Sequence, residues 1–570
     1  MARSSAGNAA SALTQESSTS SPVSKCRGHA RWRGALGASA SPDSPTDGGS
    51  SGPVDMGSRV ARPRVATGVT RRLAVVDLGS NTFRLVVFDY TPGGPFRRVD
   101  EVREVVRLTE GTPPGSPIAA DAVERAARVA RLFARFCDCS EIDEVRAVAT
   151  SAIRDAPNGD EVLQAITDAG LPARVVSGEE EARYGYIGAV NGTTLTDGLV
   201  AELGGGSIQV GLVEDRLLTR SISRPLGAVR MTDAFMAGDQ QGRDDVRALK
   251  RHALDVFRLE GWISDANRLV AMGGAVRTLA AMAQKASGYP LGEVHGYLLG
   301  RDALGELIAR MTALPRRERR RIPGVKSDRA DIMLAGAVVL DALMQAAEVD
   351  RTEICAEGLR WGVFWEAYLA PADPPLVEDV RATSVRDLAE VYGYDRPHCE
   401  QVARLALEIF DGLARLGVHD GDPREREWLR AAAVLHDVGT LVDYNDHHKH
   451  GHYLVLNAGL PGFRHRELVI IAQLVRGHRK SIQSPGALSA LLKGRDEDRI
   501  LRLAAFLRIA EQLEVGRARA ITGIDCAISA DTVILWLRAH GDVDVAMWSA
   551  RQEADVFRKA TGRRLAVERA

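Results

Sequence analysis

Leu73–Tyr90 reads LAVVDLGSNTFRLVVFDY: two stretches rich in β-branched and aromatic residues flank Asp77-Leu-Gly-Ser-Asn-Thr82. Such runs around a polar, glycine-bearing tip predict a β-hairpin. The design returns at Leu199–Val213, LVAELGGGSIQVGLV, with Glu202-Leu-Gly-Gly-Gly-Ser207 at its tip. A third glycine turn, Met272-Gly-Gly-Ala275, lies in LVAMGGAVRTLAAM (269–282), a strand feeding a helix. Around the first hairpin, the spacing of Val123, Ala126, Ala130, Phe133 and Phe136 predicts a helix over about 119–136. Strands are expected at 145–150 and 173–177, with a helix near 158–169 and another opened by Gly178-Glu-Glu-Glu181. ICAEGLRWGVFWEAYL (354–369) closes an α/β region of two hairpin-led halves.

Glycine turns after strands expose backbone N–H groups without Cβ obstruction, and such nests suit anions. One turn alone reads equally well as a tight hairpin. Two acidic-Leu-Gly hairpins, one per half, point to facing loops that grip a phosphate chain, with an acidic residue in each to hold a divalent cation. Glu179-Glu-Glu181 at a helix start reads either as cap and dipole partner or as the source of a general base, and the pattern leaves both open.

Beyond these halves, Asp373-Pro-Pro375 is expected to be a linker. Residues 380–520 are almost wholly helical in pattern and carry most of the histidines. TVILWL (532–537) and VDVAMW (543–548) read as strands of a small terminal α/β piece over 521–570. At the other end, residues 1–69 hold 14 Ser with almost no Leu, Ile, Phe or Tyr. A segment so poor in apolar surface is expected to be disordered. It lacks the apolar core of a secretory signal, and Met56 is an alternative start.

The 570 residues carry 74 Lys+Arg against 75 Asp+Glu, a net charge of −1. That balance argues against a duplex nucleic-acid partner, which calls for a basic excess. The 45% apolar and 26% charged content is that of a globular chain. No run of about 18 apolar residues suggests a membrane-spanning helix. Only eight of the basic side chains are Lys; a codon bias accounts for this most simply, although Arg also grips phosphate with two hydrogen bonds. Cys26, Cys137, Cys139, Cys355, Cys399 and Cys526 are too scattered for a disulfide framework. They indicate a reducing cytoplasm, with the thiols buried and inert.

DLGSNTFRLVV, ATSAIRDA (149–156), VVSGEEEARYGYIG (175–188), ELGGGSIQV, AMGGAVRTLA and PGVKSDRADIMLAGAVVL (323–340) follow one another as in the exopolyphosphatase / guanosine pentaphosphate phosphohydrolase family, which the chain resembles over about residues 72–515. The resemblance implies an α/β plus all-α protein. Two Ribonuclease-H-like subdomains of the actin and sugar-kinase ATPase type would span 70–193 and 194–372, followed by a helical HD-type domain. It implies phosphate binding by Gly79, Ser80, Asn81, Gly204, Gly205, Gly206 and Ser207, and by a gripping Arg154. Glu181 would be the general base, and Asp77 and Glu202 would hold Mg2+ or Mn2+.

The chain departs from that pattern. Glu202 and Glu357 stand where Asp is usual, and Gln209 where a second catalytic Glu is usual. Glu202 reaches one methylene further, so a metal site would shift; Gln209 orients a water but takes no proton. In LHDVGTLVDYNDHHKHGHYLVLNAGLPGF (435–463) and LVRGHRK (474–480), His436-Asp437, with His398 upstream and Glu511 in place of a downstream Asp, is the footprint of an HD metal site. A packed helical core is the competing reading. His447, His448, Lys449, His450 and His452 with Arg464, Arg466, Arg476, His478, Arg479 and Lys480 read as a basic surface. By resemblance it lines a polyphosphate channel, with Lys449, Arg479 and Lys480 as substrate contacts. The run Arg316–Arg321 reads as a solvated helix end.

The implied activity is removal of terminal phosphate from inorganic polyphosphate with a divalent metal, by a cytoplasmic homodimer with no membrane partner. Hydrolysis of guanosine pentaphosphate is the enzymatic alternative, and Gln209 also motivates a catalytically weak polyphosphate or alarmone sensor. A sugar or acetate kinase of the same fold fits the Gly-Glu-Glu-Glu-Ala-Arg motif less well.

Overall fold

The computed structural model describes residues 69–110, 115–480 and 482–570. The serine-rich segment, Val69 apart, and Met56 within it lie outside the described residues.

In the first half β1 (Arg71–Leu78), β2 (Thr82–Tyr90) and β3 (Phe96–Val105) form an antiparallel meander. β4 (Glu144–Ala149) and β5 (Ala173–Val175) add in parallel, giving the order β3-β2-β1-β4-β5. Ala74, Val76 and Leu78 pack with Phe133 on one face of β1, and Leu73 and Val75 with Tyr186 and Phe364 on the other. Burial on both faces explains why these runs are continuously apolar rather than alternating. The expected helix runs Ala120–Cys139 and buries Ala122, Ala126, Ala130, Phe133 and Cys137.

The second half repeats the plan. β6 (Gly198–Leu203), β7 (Ile208–Glu214) and β8 (Leu217–Arg224) form the meander. After them come β9 (Leu269–Met272), β10 (Leu298–Gly300) and β11 (Arg351–Ile354), in the order β10-β11-β9-β6-β7-β8. β9 and β11 are the parallel additions, and β10 an antiparallel edge. Between the halves, the helices Gly178–Gly192 and Leu359–Tyr368 pack on a shared core with β1, β6 and β9. They touch at Gly362, where a Cβ would come 2.0 Å from the Tyr184 carbonyl oxygen.

Asn191 and Arg216 strap down the segment after Asp373. Asn191 donates to the Pro375 carbonyl and accepts from the Val377 N–H, each at 2.9 Å, and Arg216 donates to the Val377 and Glu378 carbonyls. The helices of the following region, from Val380–Val391 to Asp496–Leu513, share one apolar core with the terminal sheet of β12 (Ile521–Ser529), β13 (Thr532–Ala539) and β14 (Arg564–Arg569).

VDVAMW, expected to be a strand, lies in the helix Asp544–Arg551 and the residue before it. Val543, Met547 and Ala550, spaced by four and three, are buried, while Val545 and Trp548 face solvent. The apparent alternation was one helical face plus two exposed apolar side chains. Arg319, expected in solvent, is buried and donates to the Met311 carbonyl at 2.8 Å and to Gln241 Oε1 at 2.5 Å. The five described cysteines are free thiols, and Cys139, at the end of its helix, is exposed rather than buried. No helix among the described residues is long and apolar enough to cross a membrane.

Candidate active site

Three turns converge on one cleft: residues 79–81 between β1 and β2, 204–207 between β6 and β7, and Gly273-Gly274 after β9. The first two loops touch, since a Cβ on Gly205 would lie 3.1 Å from Ser80 Cβ. Among the described residues, the N–H groups of Gly79, Ser80, Asn81, Gly205, Gly206 and Ser207 have no hydrogen-bond partner within the protein. The second loop is held from behind: Ala228 donates to the Gly204 carbonyl and Val229 to that of Gly205. Carbonyls are thus spent on a helix start, and amides are left for an anion.

The glutamate triplet divides its roles. Ser177 and Glu180 form a reciprocal cap, Ser177 Oγ accepting from the Glu180 N–H at 3.0 Å and Glu180 Oε2 from the Ser177 N–H at 2.9 Å. Glu181 turns inward, buried, and lines the cleft with Asp77 and Glu202. Burial raises the Glu181 carboxyl to about 7 against the pull of Arg154, with Glu202 and Asp77 adding repulsion. Burial likewise raises Glu202 to about 7, although it accepts from the Leu359 N–H at 2.9 Å. Arg360 holds Asp77 at 2.6 Å. Asp77 and Glu202 offer oxygen donors of the kind Mg2+ or Mn2+ takes, although the three carboxylates do not converge to within ligand distance of one another.

Arg84, Arg277, Arg329 and Arg360 also line the cleft. Burial, followed by mutual repulsion, lowers Arg84 to about 8, Arg329 to about 9 and Arg277 to about 10. Of the four, Arg360 alone is tightly paired, with Asp77; Glu101 stands 3.6 Å from Arg84 and Asp328 3.9 Å from Arg329, whose buried Nε has no partner. Gly274 makes room for this crowd, since a Cβ there would fall 1.6 Å from Arg329 Nη1. All four arginines lie inside motifs quoted above. The signal for Arg84 was a cation in the middle of a strand otherwise fit for burial.

Other expected site residues sit further back. Arg154 stands behind Glu181, donating to its Oε2 at 2.9 Å and to the Val176 carbonyl at 3.2 Å. Gln209 pairs across the ladder with Glu202, and its Nε2 donates to Ser207 Oγ at 2.8 Å and Ser223 Oγ at 3.1 Å. It therefore orients the second loop. Gly206 lines an adjoining cavity beside Ser80 and Ser151. Glu357 is fully buried and raised to about 8. Lys449, Arg479 and Lys480 do not line the cleft. Lys449 and Lys480 both donate to Asp446 at 2.8 Å, and Arg479 lies over Tyr444. His447, His448 and His478, read as surface, are buried. His398, His436, Asp437 and Glu511 do come together in the helical region.

The raised acids set a pH dependence of stability. Glu181, Glu202 and Glu357 hold protons in the folded state that they release near 4.5 when unfolded. Stability from their neutral forms is complete below that value and lost as pH rises through about 7 to 8. Buried His478, lowered from 6.5 to about 3, acts oppositely below 6.5. The unliganded protein should thus lose resistance to urea between pH 6.5 and 8, and Glu357→Gln should flatten that decline. A midpoint that rises or stays level over this range would contradict the assignment.

The repeated sheets with the glycine-loop cleft between them define a phosphohydrolase with an actin-like ATPase-type α/β domain, followed by a helical C-terminal region. The chain belongs to the Ppx/GppA phosphatase family: that family's model matches residues 86–370, and the model of Ppx/GppA phosphatase domain III matches residues 380–545. It is 27% identical over 487 residues to the guanosine-5'-triphosphate,3'-diphosphate pyrophosphatase of Pseudoalteromonas translucida (strain TAC 125), covering 82% of this chain and 93% of that protein. Similar solved structures include the Aquifex aeolicus Ppx/GppA family member, at 27% identity and TM-score 0.45 over 52% of this chain and 97% of that one. An exopolyphosphatase from Cytophaga hutchinsonii ATCC 33406 matches at 24% identity and TM-score 0.49 over 52% of this chain and 98% of that one.

Proposed function

We propose that the cleft removes the terminal phosphate from inorganic polyphosphate. The observation that carries this reading is the group of four cleft arginines, of which only Arg360 is tightly paired, with Asp77 at 2.6 Å. Such a site is incomplete until a multiply charged anion enters. Arg277 also walls a second cavity, toward the helical region, where Arg97, Arg98 and His295 stand with Glu293 and with Glu357 and Asp387, which burial raises to about 8 and about 7. The arginines of this continuation support a longer anion.

In the reaction Glu181 accepts a proton from water, whose oxygen bonds to the terminal phosphorus as the bond to the bridging oxygen breaks. Orthophosphate and a chain one unit shorter result, the bridging oxygen keeping the electron pair. Arg154 orients Glu181, the loop amides and arginines take the non-bridging charge, and Asp77 and Glu202 would hold Mg2+ or Mn2+. When bound, such a cation supplies further charge stabilisation to the phosphate oxygens. We read the helical region as HD-type and the protein as a cytoplasmic homodimer, with the free thiols as support for the compartment.

Guanosine pentaphosphate is the second reading, favoured by the name of the Pseudoalteromonas relative. Phosphate release from long polyphosphate and from guanosine pentaphosphate, each with Mg2+ and Mn2+, separates the two. The expected result is faster release from the polymer, with a rate that falls as salt rises. Faster release from the nucleotide would transfer the assignment to it. Release from neither would leave a binding protein.

A further inference from the structure

The helical region contains a second constellation that the cleft chemistry does not use. His436 Nδ1 lies 2.7 Å from the Ala433 carbonyl, His447 Nδ1 2.8 Å from that of Tyr444, and His478 Nδ1 2.6 Å from that of Val475. A carbonyl only accepts, so each Nδ1 carries the hydrogen, and a ring with no second proton presents Nε2 as a bare lone pair. These lone pairs face other acceptors. His447 Nε2 and His478 Nε2 are 2.9 Å apart, and His447 Nε2 is 3.3 Å from Asp437 Oδ1. His436 Nε2 is 3.0 Å from Glu511 Oε2 and 3.6 Å from Asp437 Oδ1. His398 Nε2 is 3.1 Å from the same Glu511 oxygen and 3.8 Å from Asp437 Oδ2.

All four imidazoles and Asp437 are buried, none more than 5% exposed. Both nitrogens of His398, His436 Nε2 and Glu511 Oε2 lack any hydrogen-bond partner. Four imidazoles and two carboxylates turned on one another call for positive charge between them, supplied by protons on the rings or by metal cations. A backbone carbonyl holding the far nitrogen of a histidine is also how proteins orient that ring toward a metal.

The donor atoms fall into two groups that share Asp437: His398, His436 and Asp437, with Glu511 against them, and Asp437, His447 and His478. We propose that this region holds a pair of transition-metal ions bridged by Asp437, the first on His398, His436 and Glu511, the second on His447 and His478. Mixed imidazole and carboxylate donors select Mn2+, Fe2+ or Zn2+ over Mg2+, which prefers an all-oxygen shell. Arg517, 2.7 Å from Asp437, then supports the bridging carboxylate from outside. This centre stands independently of the α/β cleft and its substrate.

The test is metal content of the full chain, freed of any histidine tag, stripped with chelator, reloaded with Zn2+, which imidazole donors favour over the oxygen donors of the cleft, and desalted. About two equivalents are expected to remain in the wild type. His478→Gln should keep about one and Asp437→Ala about none. Chelation should also lower the melting temperature of the wild type. The proposal is overturned if the wild type retains less than about a tenth of an equivalent, or if folded Asp437→Ala retains the full amount. If Asp437→Ala fails to fold, His478→Gln decides, because unchanged metal in that variant removes the second ion.

Discussion

Glu181→Gln should slow phosphate release by roughly 10²–10⁴-fold while leaving the affinity for polyphosphate nearly unchanged. The substitution keeps the shape and the contact with Arg154 but removes the proton acceptor. Glu181 is the buried member of its triplet, and its carboxyl, raised to about 7, is a far better proton acceptor than an exposed glutamate. It follows that kcat/KM of the wild type should climb with pH up to about 7, as the base loses its proton, and that this limb should vanish in the variant. Binding measured by displacement of a labelled polyphosphate separates this outcome from misfolding. Turnover within about tenfold of wild type would remove Glu181 from the role of base.

The acidic residues of the cleft were legible because each is set by local sequence. Asp77 and Glu202 end strands just before glycine turns, and the hairpin pattern alone puts them beside the loops. The choice of Glu181 over Glu179 and Glu180 came from the family resemblance and not from the local pattern, because it depends on which side chain turns back to cap Ser177. The arginines were hidden for a different reason. Arg84, Arg277, Arg329 and Arg360 come from four distant segments, and only the packing of both halves makes them one charge cluster. The contacts of Gln209 were hidden as well: the Glu202↔Gln209 register turns its amide nitrogen toward Ser207 and Ser223 and leaves its Oε1 without a partner.

The same limit governed the helical region. HHKHGH (447–452) mixes histidine with lysine and so reads as a basic surface. The helix His447–Ala458 sorts it by angle, burying His447, His448, Gly451 and Val455 and leaving Lys449 to pair with Asp446 in solvent. Two of the six groups that face one another there, His447 and His478, were thus assigned to the wrong side of the protein.

The arginine cluster makes a prediction in which stability and activity move in opposite directions. Arg84 sits in β2, where every residue is buried, and three other guanidiniums repel it across the cleft. Exchanging a buried, poorly compensated charge for an apolar side chain of similar length often stabilises a protein, by about 1–4 kcal/mol. Arg84→Met should therefore raise the melting temperature of the unliganded enzyme. A charge-assisted hydrogen bond to phosphate contributes about 1.5–3 kcal/mol, so kcat/KM should fall about ten- to a hundredfold. The salt dependence of binding should weaken as well, since one fewer cation meets the polyanion. Polyphosphate should close the gap from the other side, stabilising the wild type more than the variant, because only the wild type carries the full repulsion that the ligand relieves. A variant that is less stable and equally active would mean that Arg84 serves the fold through Glu101, and the cluster would lose its place as the feature that selects a phosphate chain.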